Sequence, residues 1–313
     1  GMSPMKVAER AFHSTSDFPM ILANIMNTSV HSGYQEIPQT FRDLGVQSTA
    51  VDFRDKHTVG LGEMPGLLPL GENGEYKGAT LSENGEKYRI STFARKIGFT
   101  RELLINDALN VLTNVPQMFG QAGSRLESDI VWGLLLGYDF LARKAKPVLM
   151  ADGKNVYHAD HSNLMTGASS AMSEAALDAL RLQGRNMKTR DGNFMPITYN
   201  NIVVPAELES VAEKLLLTRI NAAKIDDVLT HTNKFGLRVE PRLAQATTFG
   251  TTGWLAFSNM LRSFEYSYLL GEEAMHVEQT TSTDSDGMVV KVRKDFGAGM
   301  IDARGTSKQT GKA

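Results

Sequence analysis

The sequence predicts an α+β fold, and three observations predict it. An apolar stripe at helical spacing follows Pro116. Two extended runs flank a segment too rich in glycine and proline for regular structure. In the second half of the chain short strands and helices mix without strict βαβ order. The chain has 313 residues, a formal net charge of −2 and no cysteine. A dedicated nucleic-acid binder would carry a basic excess to neutralise phosphates, and none is present. Without cysteine there is no disulfide, thiolate nucleophile or Cys-ligated zinc. No apolar run approaches the roughly 18 residues that span a bilayer, and the N-terminus lacks the apolar stretch of a secretory signal.

Taken in order, residues 1–17 have no sustained period and read as an arm. Asp17-Phe18-Pro19 is a helix start, since proline fits the first turn. Val51, Phe53 and Val59 share one parity and predict a strand within 46–60. From Gly60 to Gly78 there are six glycines and two prolines, Pro65 and Pro69, which exclude helix and central strand alike. Tyr88 to Phe99 is again extended, so 46–99 reads as a long protruding hairpin. Thr100 is a candidate N-cap for a helix through Val111. After Pro116, Phe119, Ala122, Leu126, Ile130 and Leu134 form one stripe, with Gln121, Arg125, Glu127 and Asp129 on the opposite face.

Past about residue 146 the texture changes. Residues 151–172 are loop-like, and Ser173 caps a helix through about Lys188. Asp191-Gly192-Asn193 is a turn. Ile202-Val203-Val204 is a buried strand, and Pro205 opens a helix carrying Leu208, Val211, Leu215 and Leu216. Extended runs follow at Phe235–Glu240, Gly253–Phe257, Phe264–Leu269, Ala274–Gln279, Met288–Phe296 and Met300–Ala303, with Ser285-Asp286-Gly287 as a hairpin turn.

Chemistry-bearing clusters are sparse. Tyr157-His158-Ala159-Asp160-His161-Ser162-Asn163 places two imidazoles and a carboxylate within four residues, a possible start of a metal site, which would make the chain a metal-dependent hydrolase. A third or fourth ligand is not apparent, and a polar loop capping its own backbone explains the same residues. There is no Gly-x-Ser-x-Gly elbow and no Gly-Lys-Ser/Thr phosphate loop. Arg89, Arg95, Lys96 and Arg101, with Phe93 and Phe99 between them, could face nucleic acid, but Glu83, Glu86, Glu102 and Asp107 flank them and favour a solvated strand surface. No cofactor is expected and no enzyme activity.

The run Ala94-Arg-Lys-Ile-Gly-Phe-Thr-Arg-Glu-Leu-Leu-Ile-Asn-Asp107 resembles the strand-to-helix entry of tailed-phage major capsid proteins of the Hong Kong 97 fold. Phe235–Pro241 and Val290–Asp302 resemble its closing strands. Tyr157–Asn163 and Pro196–Pro205 are similar to segments of the Mu-like major head subunit branch. The resemblance implies an N-terminal arm (1–45), an extended loop with flanking strands (46–99), a peripheral domain with a spine helix (100–146), an axial domain (147–265), and return strands of the peripheral domain with a tail (266–313). It implies a structural head subunit that self-assembles into pentamers and hexamers of an icosahedral shell around DNA, in the virion and assembled in the bacterial cytoplasm. Scaffolding protein, prohead protease and portal are the implied partners, packaged DNA is contacted nonspecifically, and no membrane is involved. The hairpin residues Gly62, Pro65, Leu67, Leu68, Tyr76 and Lys77 are the candidate subunit contacts. Lys77 could serve a Lys–Asn isopeptide bond, but no acceptor matches, so none is expected.

Overall fold

The computed structural model describes residues 17–61, 83–100, 111–189, 192–216, 234–281 and 287–311. Helix α1 (Asp17–Glu36) begins at the Asp-Phe-Pro signal. Strands β1 (Val46–Ala50), β2 (Lys56–Leu61), β3 (Glu83–Tyr88) and β4 (Ser91–Thr100) follow, then the long helix α2 (Val111–Leu136). A small hairpin, β5 (Tyr138–Asp139) and β6 (Lys144–Ala145), leads to β7 (Leu164–Met165) and α3 (Glu174–Arg185). Next come β8 (Tyr199–Val204), α4 (Glu209–Leu216), β9 (Gly236–Val239), the single turn α5 (Arg242–Gln245) and β10 (Trp254–Ser258). The chain ends on β11 (Phe264–Leu269), β12 (His276–Thr281), β13 (Gly287–Met300) and β14 (Thr306–Gln309).

Two five-stranded sheets organise these elements. In the first, β1 runs parallel to β11, and β13 pairs antiparallel with β11, β12 and β4. In the second, the order is β7-β14-β10-β8-β9. Its central strands are buried on both faces, which is why Ile202-Val203-Val204 and Trp254-Leu255-Ala256-Phe257 read as unbroken apolar runs. Val203, Leu255 and Phe257 point into the core shared with Trp132, Leu135 and Phe264. Ile202, Val204, Trp254 and Ala256 point the other way, under α3 and α4.

Several expectations change in three dimensions. The strand expected over 46–60 is two strands. Val51 and Phe53 lie on the bend between them, where the Arg54 N–H donates to Asp52 Oδ1 and both apolar side chains face solvent. Helix α2 begins at Val111 and carries the buried Pro116 inside it. The missing N–H costs one helical bond, and packing against α1 carries the helix through. The runs Met288–Phe296 and Met300–Ala303 are not separate. β13 continues to Met300, and Ala303 belongs to a short 3₁₀ turn capped by Asp302. The two glycines between those runs are demanded by a neighbour. A Cβ on Gly297 would lie 2.5 Å from the Arg89 carbonyl oxygen, and one on Gly299 would lie 2.4 Å from the Tyr88 ring. Strand β14, grouped by sequence with the return strands, pairs with β10 and β7 in the second sheet. Ser173 caps α3 as expected, accepting from the Ala176 N–H, although the helix stops at Arg185. Residues 1–16, the hairpin candidates from Gly62 to Lys77, Arg101 to Asn110, Asp191 and Ser285-Asp286 lie outside the described residues.

Candidate functional site

The stripe that marks α2 in the sequence is not its buried face. Pro116, Gly120, Gly123, Ser124, Glu127, Ser128, Val131, Trp132 and Leu135 are buried, whereas Phe119, Leu126, Ile130 and Leu134 are half-exposed and Ala122 is exposed. Small residues on the buried face admit α1 at close range. A Cβ on Gly120 would sit 2.0 Å from the Val30 carbonyl oxygen, and one on Gly33 would sit 2.1 Å from that of Gln117. The Gln121 amide donates to Glu36 at 2.6 Å and pins the end of α1 to α2.

The half-exposed stripe lines an open groove between α2, β4 and the β5–β6 hairpin. Two hollows of about 300 and 630 Å³ share Phe93, Asp129 and Leu141 and run along the helix. Phe93, Leu126, Ile130, Leu134 and Leu141 give an apolar floor, and Arg89, Arg95, Arg125 and Lys146 line its edges. Asp129 is held by Arg242 at 2.7 Å, and Asp139 accepts from the Leu141 and Ala142 N–H groups. The groove's uncommitted charge is therefore positive. Arg89, Arg95 and Lys96 are exposed, as the strand-surface reading expects.

Beneath the groove lies a charged cluster that sequence reasoning missed. Glu127, placed by period on the outer face, is 0% exposed, and Lys294 of β13 is 3% exposed. Their charged atoms are 3.1 Å apart. Tyr34 of α1 donates to Glu127 Oε2 at 2.6 Å, Tyr268 of β11 donates at 3.0 Å, and the Gln39 amide donates at 3.1 Å. Lys294 Nζ lies 4.5 Å from the Tyr268 ring centroid, a cation–π contact, and donates to the Glu273 carbonyl. Burial, then the Glu127 charge, pushes the Tyr34 phenol up to about 12, and the same two causes raise Tyr268. Both phenols thus stay protonated donors. The cluster ties α1, α2, β11 and β13 to one point. The sequence signal for it was the run of small residues continuing the Trp132 face toward the N-terminus. A face of glycine and serine invites a second element, and a charge on that face needs a buried partner.

The His158–His161 loop spends its donors on itself. His158 Nδ1 accepts from the Asp160 N–H at 3.2 Å, capping a 3₁₀ turn, and Lys154 pairs with Asp160. His161 Nε2 lies 2.7 Å from Asp152 Oδ2, and its Nδ1 is 3.1 Å from the Val156 carbonyl. Burial pushes the Asp152 carboxyl up, but the His161 hydrogen bond and the Lys154 N–H outweigh it and hold the group below its ordinary value. Asn163, fully buried, donates to the Val156 and Ala303 carbonyls at 2.8 Å each and accepts from the His158 N–H at 3.1 Å. Among the described residues, no three His, Asp or Glu side chains gather as a metal would need. Among them, too, no helix is long and apolar enough to cross a membrane.

With this geometry in hand, known proteins give a consistent picture. The profile of a family described as phage capsid protein matches residues 84–309. A search of curated proteins finds no match. Among solved structures, the capsid of a native GTA particle superposes with a TM-score of 0.58 at 12% identity, covering 88% of this chain and 90% of that one. A virus-like particle from Pyrococcus furiosus gives 0.52 at 11% identity, with 91% and 98% covered. The capsid of Myoviridae phage XM1 gives 0.52 at 15% identity, with 88% and 92% covered. At these identities the structures speak for the fold.

Proposed function

The chain belongs to the phage capsid protein family, and from that premise we propose that it is the major head subunit of a tailed phage or prophage. Copies assemble into pentamers and hexamers of an icosahedral shell, in the host cytoplasm, around packaged DNA. The subunit carries no catalytic role, and its branch is the Mu-like one, on the segments Tyr157–Asn163 and Pro196–Pro205. Scaffolding protein, prohead protease and portal are its expected partners. We propose the domain division that the resemblance implies, except that β14, which pairs with β10, goes with the 147–265 unit.

One observation carries this reading. The apolar stripe of α2 is only half covered by the chain's own core, and its open side lines a groove of about 630 Å³ at its widest hollow. An apolar helix face left half open to solvent in a lone chain points to a neighbour that covers the rest. The occupant is the hairpin of an adjacent copy. Leaving β2 at Leu61 and returning at Glu83, it brings Leu67, Leu68 and Tyr76 to the floor. Glu63, Glu72 and Glu75 against a single Lys77 suit the basic edge. Gly62, Pro65 and Lys77 belong to the same proposed contact. Each contact can be weak, because a closed shell repeats it many times.

Light scattering coupled to size exclusion, with negative-stain images of each peak over a concentration series, tests the proposal. Rings, tubes or shells are expected. A chain that stays monomeric or dimeric at every concentration, with and without co-expressed phage assembly factors, would overturn it. The alternative of a metal-dependent hydrolase at His158, Asp160 and His161 has no observation in its favour, since their ring and carboxylate atoms already hold the loop.

A further inference from the structure

We propose that α3 and α4 supply the two halves of a head-to-tail contact between copies: the basic, apolar end of α3 in one copy docks on the acidic, apolar first turn of α4 in the next. The proposal rests on the self-assembly reading and names the surfaces that would close a ring.

Two surface patches on the second sheet's helical side motivate it. On α3, Leu182 is 63% exposed between Arg181 and Arg185, and on the turn that follows the helix Phe194 is 71% exposed with Lys188 over its ring. Beside them a cleft of about 230 Å³ is lined by Arg181, Arg185, Lys234, Tyr199 and Phe235. Asp178 is 3.9 Å from Arg181, but Arg185 and Lys234 meet no acidic partner among the described residues. The second patch is at the start of α4. Glu207 and Glu209 are exposed without a cationic partner among the described residues, and Val211, two positions on, is 41% exposed. Helix α4 packs on β9, the edge strand of the sheet, while α3 packs on β8 and reaches β14 through Gln183 and Ser307.

Helix dipoles explain part of this pattern. Glu209 suits the first turn of α4, Glu207 the 3₁₀ turn that precedes it, and Arg185 the last turn of α3. Dipoles do not explain Leu182 and Val211 left exposed beside those charges, or Phe194 with only Lys188 over its ring, and burial against a second surface does. The patches are opposite in sign and lie on different elements, so each would repel its own image. A two-fold contact between identical patches is thereby disfavoured. A heterologous contact, repeated around a rotation axis, closes a ring.

Charge reversal tests the pairing. Arg181→Glu with Arg185→Glu, and separately Glu207→Lys with Glu209→Lys, alter exposed side chains, and circular-dichroism melting confirms that each chain folds. Each reversed chain alone should lose at least about tenfold of its assembled mass, because like charges then face each other across the contact. The chain carrying all four substitutions should recover assembly to within about threefold of the unaltered protein. A one-to-one mixture of the two reversed chains should form rings of even copy number and none of odd number, since the two must alternate. Unchanged assembly of either reversed chain, or no recovery in the fourfold variant, would overturn the contact while leaving self-assembly intact. If the unaltered chain forms no ring or shell, the self-assembly reading falls, and this contact with it.

Discussion

Replacing Glu127 with leucine removes the acceptor on which the α1–α2–β11–β13 junction converges. The structure sets the magnitude. Lys294, 3% exposed, would keep its charge with only the Glu273 carbonyl and two ring faces beside it. Breaking a buried ion pair from one side costs about 3–5 kcal/mol. Tyr268 and Tyr34 both lose the acceptor of their O–H, but half-buried Tyr34 can turn its O–H to water and Gln39 keeps Ser124, so Tyr268 is the donor left stranded. One stranded neutral donor adds about 1–3 kcal/mol. The sum is about 4–8 kcal/mol, which at about 2 °C per kcal/mol for a chain this long lowers Tm by roughly 8–16 °C. Adding Lys294→Met removes the stranded charge, so the double variant should be more stable than Glu127→Leu alone by about 2 kcal/mol or more. Thermal melts of the unassembled subunit, at one low concentration and one salt, measure both. A Glu127→Leu chain melting within about 2 °C of the unaltered one, or a double variant no more stable than the single, would refute the reasoning.

Three further outcomes are expected. Gly120→Ala pushes a methyl group to within 2.0 Å of the Val30 carbonyl, so it should cost about 1–3 kcal/mol and speed limited proteolysis within α1, while Gly98→Ala, whose Cβ meets only Val289 Cγ2 at 4.0 Å, should change stability by less than about 0.5 kcal/mol. Asn163→Ala leaves the Val156 and Ala303 carbonyls and the His158 N–H without their partner. It should lower unfolding free energy by about 2–4 kcal/mol in denaturant melts, with metal analysis showing no stoichiometric ion in either chain. Asp152, held below its ordinary value of 3.8 in the folded state, binds a proton more weakly there than when unfolded. Its stabilising effect is complete above about 3.8 and is lost as pH falls through the folded value, so Asp152→Asn should flatten the acid-unfolding slope below pH 4 and leave neutral stability's pH dependence unchanged.

The sequence by itself determined what depends on neighbours along the chain. The helix start at Asp17-Phe18-Pro19, the Ser173 cap and the two-sided burial of Ile202-Val203-Val204 follow from local sterics, hydrogen bonding and period. It also located the α2 stripe correctly as an apolar surface. Only the tertiary structure decided what that surface faces. Period assigns residues to faces of a helix but cannot say which face meets the chain's own core. That choice came from Gly33 and Gly120, which let α1 approach the opposite face closely. With that face buried, Glu127 had to find Lys294, 167 residues away, to be tolerated there. The same limit explains Gly297 and Gly299. In the sequence they fall between two expected runs, and in the fold the strand passes whole through them with the Arg89 backbone and the Tyr88 ring at contact distance. Burial of a charge and close passage of two segments are properties of pairs distant along the chain. No local pattern encodes them until the fold brings the pair together.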